Sequence, residues 1–230
     1  MTPPAGFWRR YAAYSADACA VGLLALPLLW PRLLQARATL GAGLETLQFR
    51  LWELLDLSLA RGDDPLRQAG LFAGDEALRA AMARLASDLF SLGLQVSWVL
   101  FAVGAVWFIA FESSRWQATP GKRLLGLQVT DARGGRCGPG RIAARFVAGI
   151  PSWLLLNLGH ALAAWTPGKR ALHDYLAGTR VALAPGASPA MPRGGRSWLL
   201  VQAAGFFGAM GFIVLRYVQL LVEAAGSGLY

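Results

Sequence analysis

The chain has 230 residues, 55% of them hydrophobic and only 15% charged, with a formal net charge of +9. Soluble domains carry about 25% charged residues, and the deficit here is concentrated in long uncharged runs, a pattern that excludes an ordinary soluble domain. The basic residues lie between those runs, where the positive-inside rule places cytoplasmic lysine and arginine, so the charge points to a lipid bilayer as partner and not to nucleic acid.

Phe7-Trp8-Arg9-Arg10 reads as an aromatic and basic interface anchor after a short tail, Met1 to Gly6. Tyr11 to Trp30 follows as a first span, with Asp17 its only charge. Twenty residues at helical rise cover about 30 Å, the thickness of a hydrocarbon core. A cleaved signal peptide is the competing reading, because Ala36-Arg37-Ala38 resembles a processing site; Asp17 interrupts the apolar core and opposes it.

Residues 31–88 have a different composition. They hold eight of the thirteen acidic residues and seven arginines, and Leu44, Leu47, Leu51, Leu54, Leu55 and Leu59 recur at helical spacing. This stripe packs on the protein's own spans, on the membrane surface or on a partner. Arg61 to Pro65 breaks the pattern, and a second helix is expected to start near Asp75-Glu76 and to run on without a break into the next span. That span, Leu89 to Phe111, is an uncharged run of 23 residues.

Residues 112–145 then carry seven basic and two acidic residues. Within them Leu124 to Thr130 is strand-like and Ala132 to Gly135 reads as a turn. Phe146 to Trp165 is uncharged but interrupted by Gly149, Pro151, Asn157, Gly159 and His160, with basic residues on both flanks. A re-entrant hairpin broken near Pro151 keeps both flanks on one side; a full span separates them. Residues 184–196 read as a Pro- and Gly-rich linker, and 197–222 as a last transmembrane helix. The expected fold is therefore an all-α polytopic membrane protein with about four apolar segments, one of them re-entrant. Leu124 to Thr130 and Thr179 to Leu183 are expected to pair as a small cytoplasmic β-hairpin. The basic loops put the N-terminus in the cytoplasm and residues 31–88 outside.

Asp17 is the most informative side chain. A carboxylate inside a span costs a few kcal/mol and so faces protein or water and has a partner; the alternatives are a structural pair and a cation or proton site. Arg10 lies two turns earlier on the same helical face. The segment Thr119-Pro120-Gly121-Lys122-Arg123 recurs as Thr166-Pro167-Gly168-Lys169-Arg170. Lys122, Arg123, Lys169 and Arg170 are read as interface anchors or lipid-headgroup contacts. The repeat lacks the upstream glycine of a phosphate-binding loop, which rejects nucleotide binding. His173-Asp174 is a proton-relay candidate or a helix cap, and His160 a hydrogen-bonded helix residue. No nucleophile, base and orienting group converge, and no metal-ligand spacing appears, so the chain reads as a non-enzyme without metal or cofactor. Cys19 and Cys137 lie in dissimilar surroundings, an apolar run and a basic loop, which argues against a disulfide between them.

Taken together, these motifs resemble the RDD family of polytopic membrane proteins, named for one arginine and two aspartates. Phe7 to Asp17 resembles the opening of that family's first helix, with Arg10 and Asp17 as the first two letters. Thr119 to Val129 resembles its middle segment. Leu172 to Thr179 resembles its closing segment, with Asp174 as the third letter. The resemblance covers residues 7–183, interrupted by 31–88; the long insertion, the repeated Thr-Pro-Gly-Lys and the final span lie outside the family pattern. It implies an integral protein of the bacterial cytoplasmic (inner) membrane. Some family members are implicated in sodium/proton antiport and others are partners in membrane complexes. The expectations are thus transport of sodium ions and protons or, as the alternative, a scaffold or assembly role, or lipid-headgroup binding, in a homo-oligomer or with other membrane proteins. Arg10, Asp17 and Asp174 are expected to meet as one charged cluster with a residual negative charge.

Overall fold

The computed structural model describes residues 3–155 and 157–227, the side chains of 224–227 excepted. The elements in order are α1 (Phe7–Arg61), α2 (Pro65–Gly74), α3 (Glu76–Ser113), α4 (Pro120–Leu124), β1 (Leu127–Asp131), α5 (Pro139–Val147), α6 (Ile150–Leu154), α7 (Leu158–Ala161), a 3-10 turn (Leu162–Ala164), α8 (Leu172–Leu176), β2 (Thr179–Leu183) and α9 (Arg193–Ser227). Among the described residues three helices are long and apolar enough to cross a membrane, Phe7–Arg61, Glu76–Ser113 and Arg193–Glu223, and the bent pair 139–154 and 158–164 makes a fourth if it counts as one span. On α9, Leu200, Phe207, Phe212 and Leu215 are exposed. Its first turns pack on the core through Trp198 and Leu199, and the exposed apolar length beyond them is suited to lipid.

The chain forms two compact units, residues 1–19 with 105–230, and residues 20–104. In the second unit, α1 does not stop where the sequence suggested a change of region. It passes through Pro27 and Pro31 and continues to Arg61, 55 residues or about 80 Å of helix. Each proline removes one backbone hydrogen bond, but the rest of the ladder and the leucine stripe carry the helix on. The chain turns at Gly62, and Asp64 then caps α2, its Oδ1 accepting from the amides of Leu66 and Arg67 at 2.9 and 3.0 Å. The expected helix start at Asp75-Glu76 is present, with Asp75 Oδ1 accepting from Leu78 N at 2.7 Å. The helix runs from there through the whole apolar segment without a break. Arg50 on α1 clamps Asp75 at 3.0 and 2.5 Å.

In the first unit a two-stranded antiparallel sheet is the organising layer. Its register places Leu127 opposite Leu183 and Val129 opposite Val181. Period-two alternation puts these four apolar side chains in one core, with Ala12, Ala13, Leu125, Cys137 and Ile142. The strand pair expected from the sequence is therefore present with its first boundary corrected. Leu124 closes α4, and the chain turns at Gly126, whose φ of 62° suits glycine, before β1 begins. The tail is also not free: Pro4 bridges Ala182, and Ala5 N donates to Val181 O at 3.1 Å.

The interrupted segment between the strands is broken. α6 and α7 have five and four residues, and helices 139–154 and 158–164 meet at a bend of 111°. Five helical residues rise only about 7.5 Å, a quarter of a hydrocarbon core. Both ends of the segment return to one sheet, because β1 precedes it and β2 follows it. The proposed linker is likewise corrected: Ala187 and Met191 pack on the core, and α9 starts at Arg193 rather than 197.

A test of this geometry is topological. With Cys19 and Cys137 replaced, Arg133→Cys and Arg193→Cys should react with an impermeant thiol reagent from the same side of the membrane. Labelling from opposite sides would mean that the broken segment crosses completely.

Candidate functional site: a buried charge network

Asp17 is buried within α1, and both of its carboxylate oxygens accept hydrogen bonds. Thr119 Oγ1 donates to its Oδ2. Gly121 N and Trp107 Nε1 donate to its Oδ1 at 2.9 and 3.2 Å. The first Thr-Pro-Gly-Lys-Arg segment is thus a docking element: Thr119 precedes α4, Pro120 opens it, and Gly121 lies flat on α1. A Cβ on Gly121 would stand 2.5 Å from Ala13 O and 2.9 Å from the Asp17 carboxyl carbon. Only glycine permits that approach.

The next residue of α4 leads into a second network. Lys122 is buried, and its Nζ donates to Glu112 Oε1 at 2.6 Å. Glu112 Oε2 accepts from Arg145 Nε at 3.2 Å. Arg145 Nη1 donates to Asp174 Oδ1, and Arg10 Nη2 donates to Asp174 Oδ2 at 2.5 Å. Arg10 Nη1 also donates to Lys169 O. Asp174 further accepts from Ala171 N at 3.0 Å and from Thr179 Oγ1 at 3.3 Å. One end of α1, α3, α4, α5 and α8 is thereby tied together by charge.

Arg10 and Asp174 meet as the sequence led one to expect, but two parts of that expectation are corrected. Asp17 does not join them; Thr119, Gly121 and Trp107 hold it instead. The residual charge is also opposite in sign, since three cations (Arg10, Lys122, Arg145) face two carboxylates (Glu112, Asp174). Glu112 and Arg145 were missed because each sits among basic residues that read as a loop, with no spacing to pair them. Their signal was that Glu112 closes one long uncharged run and Arg145 precedes the next one.

The four residues read as interface anchors divide. Lys122 is inside the network. Arg170 lies against the Tyr175 ring at 4.4 Å and donates to Thr179 O at 3.2 Å and Asp174 O at 2.9 Å. Lys169 is half-buried, with a left-handed φ of 52° that presents its carbonyl to Arg10. Arg123 lies over the Trp116 ring at 4.3 Å, both exposed. Arg9, expected at the interface, is buried and donates to Leu125 O at 2.6 Å and Ser188 O at 2.7 Å. No group of three or more metal-ligating side chains occurs among the described residues.

His173 is buried beside the network, its Nε2 3.7 Å from Asp174 Oδ1 and its ring 4.6 Å from that of His160. Burial pushes its imidazole well below its ordinary 6.5, and the Arg145 charge pushes it the same way. For Asp174, burial alone acts upward, but Arg145, then Arg10, hold it well below the ordinary carboxylate range.

These features define a class: a multi-pass helical membrane-type protein whose helix ends are joined by a small sheet and a buried charge network. The family model for the RDD family matches residues 4–178, and the chain belongs to that family. A stretch of 83 residues is 30% identical to a protein of Bacillus subtilis (strain 168) described as "Uncharacterized protein YxaI". The match covers 36% of this chain and 54% of that protein, so the chain spans about half the length of this relative. No solved structure matches.

Two outcomes follow from this geometry. Gly121→Ala should destabilise by about 1–3 kcal/mol, the usual cost of forcing extra volume into a packed contact, read as a lower thermal midpoint. The unfolded chain binds a proton at His173 below 6.5 that the folded chain does not, so stability should fall as pH drops below 6.5. Asp174 adds a further loss only once the pH falls below its unfolded value of 3.8. His173→Gln should flatten the change in thermal midpoint between pH 7.5 and 5.5.

Proposed function

We propose that this chain is a multi-pass protein of the bacterial cytoplasmic membrane with a non-catalytic scaffold or assembly role, its N-terminus in the cytoplasm. The observation that carries this reading is the occupancy of the family-matching charges. Asp17 accepts three hydrogen bonds, Asp174 two guanidinium bonds and more, and Arg10 is bonded to Asp174 and a carbonyl. A site that carries sodium needs oxygen ligands that can be released to the ion. Here each of these carboxylates is committed to protein donors. The basic loops before β1 and after β2 support the cytoplasmic placement of the sheet. The exposed apolar length of α9 supports contact with lipid or with other membrane proteins.

Sodium/proton antiport is the second reading. It is favoured by the placement of Glu112, His160 and His173 around one cavity, since such groups can hand on protons. Liposomes holding the purified protein separate the two. Under the scaffold reading a sodium gradient moves no protons, and Asp17→Asn lowers the thermal midpoint, since a hydrogen bond to a charged group contributes about 1.5–3 kcal/mol. Sodium-driven proton movement that disappears in a stably folded Glu112→Gln protein would replace the scaffold reading with antiport.

A further inference from the structure

A cavity of about 100 Å3 lies within the unit that holds the charge network. That is several times the ~10–15 Å3 one water requires. Its charged lining is Arg10, Lys122, Arg145 and Glu112, and both histidines face it. Three cations therefore meet a single lining carboxylate, and that carboxylate is held by Lys122 and Arg145 on its two oxygens. Asp174, the other carboxylate of the network, is fully buried between Arg10 and Arg145.

Two imidazole nitrogens around this space are buried without a partner, and two guanidinium nitrogens make no hydrogen bond among the described residues. Arg145 engages Glu112 through Nε and Asp174 and Thr179 through Nη1; its Nη2 makes no hydrogen bond among the described residues. The Nε of Arg10 is likewise unused among them. Nδ1 of His160 and Nδ1 of His173 are buried without a partner. A buried polar atom left unpaired costs about 1–3 kcal/mol, and such atoms are rare enough to require an explanation. A metal cation would be repelled by the net positive charge of the network and would find no uncommitted carboxylate. An oxyanion would meet charged donors of the kind that make the strongest hydrogen bonds.

We propose that this cavity binds one phosphate-class oxyanion, with Arg145 and Arg10 as its charged donors and His160 and His173 on its wall. The single excess positive charge of the network is what such a group neutralises. The oxyanion comes either from free phosphate or from a phospholipid headgroup, whose acyl chains would lie along the aromatic lining that includes Phe7, Tyr11 and Trp153. The site stands apart from the scaffold reading, because binding is measured without any flux or partner.

The test is the thermal midpoint of the purified full chain in detergent, since a ligand that binds the folded state raises it in a saturable way. Inorganic phosphate is titrated against chloride at matched ionic strength, and phosphatidylglycerol against phosphatidylcholine in mixed micelles. A saturable rise with phosphate identifies the free ion as the source; a rise with phosphatidylglycerol alone identifies the headgroup. No rise with either, or a rise that chloride reproduces, overturns the proposal. Arg145→Gln should abolish the response, but this residue also ties Glu112 to Asp174. His173→Phe, which replaces a polar group of the lining, and Ala163→Leu, which fills it, therefore decide the matter if that protein does not fold. Each should weaken binding about tenfold, His173→Phe by removing a polar contact and Ala163→Leu by taking up space the oxyanion needs. An unchanged response in both overturns the site.

Discussion

The clasp of Asp174 by Arg10 and Arg145 is the interaction on which the rest of the first unit depends. Taking a carboxylate and two guanidiniums out of water costs several kcal/mol per ion, and only close geometry with further hydrogen bonds offsets that cost. Asp174 has both: two guanidinium donors, the Ala171 amide and the Thr179 hydroxyl. Each donor comes from a different place in the chain. Arg10 lies in α1, Arg145 in α5, and Thr179 opens β2. The carboxylate can be satisfied only when all three are in place, so it fixes short elements such as α5, α8 and β2, marginal by themselves, against the long α1.

This dependence explains how the interval between β1 and β2 can be so irregular. α6, α7 and the 3-10 turn are one turn or little more each, and their ends leave backbone groups that helix geometry does not satisfy. Irregular backbone at membrane depth is tolerated where protein or a wet cavity surrounds it. Here the sheet holds both ends of the interval. The Arg10 and Arg170 side chains satisfy carbonyls within or beside it, those of Lys169, Asp174 and Thr179. The arginines act through their several donors as much as through their charge, which lysine could not match.

The two Thr-Pro-Gly-Lys-Arg segments show how one local sequence takes two structures. In the first, Thr119 donates to Asp17 and α4 follows, with Gly121 pressed on α1. In the second, no carboxylate awaits the threonine. Thr166 Oγ1 instead accepts from Arg170 N at 2.8 Å and donates to Arg170 O at 3.0 Å, and Lys169 takes a left-handed conformation. Local propensity is the same in both; the partner on α1 decides between helix and turn.

Much of the fold was legible in the sequence, and for a physical reason. Uncharged runs of membrane length, β-prone residues in Leu124 to Thr130 and Thr179 to Leu183, and the acidic start at Asp75-Glu76 are local signals. The pairing of Arg10 with Asp174 was legible as well, through the resemblance of three separated motifs. The length of α1 beyond Pro31 was not, because one proline weakens a helix locally while the residues after it still favour it. Nor could spacing show that Arg145 would join Glu112 to Asp174, that Lys122 would turn inward, or that Asp17 would be held by Thr119 rather than Arg10. Charge pairing between separate elements depends on which helix ends arrive at the same place. The sequence by itself determined the membrane character, the helices and the strand pair, because those are set by local hydrophobicity and period. Which charges are buried together, and with what net sign, was decided only by the tertiary structure, because desolvation and Coulomb energy depend on distances that no linear spacing contains.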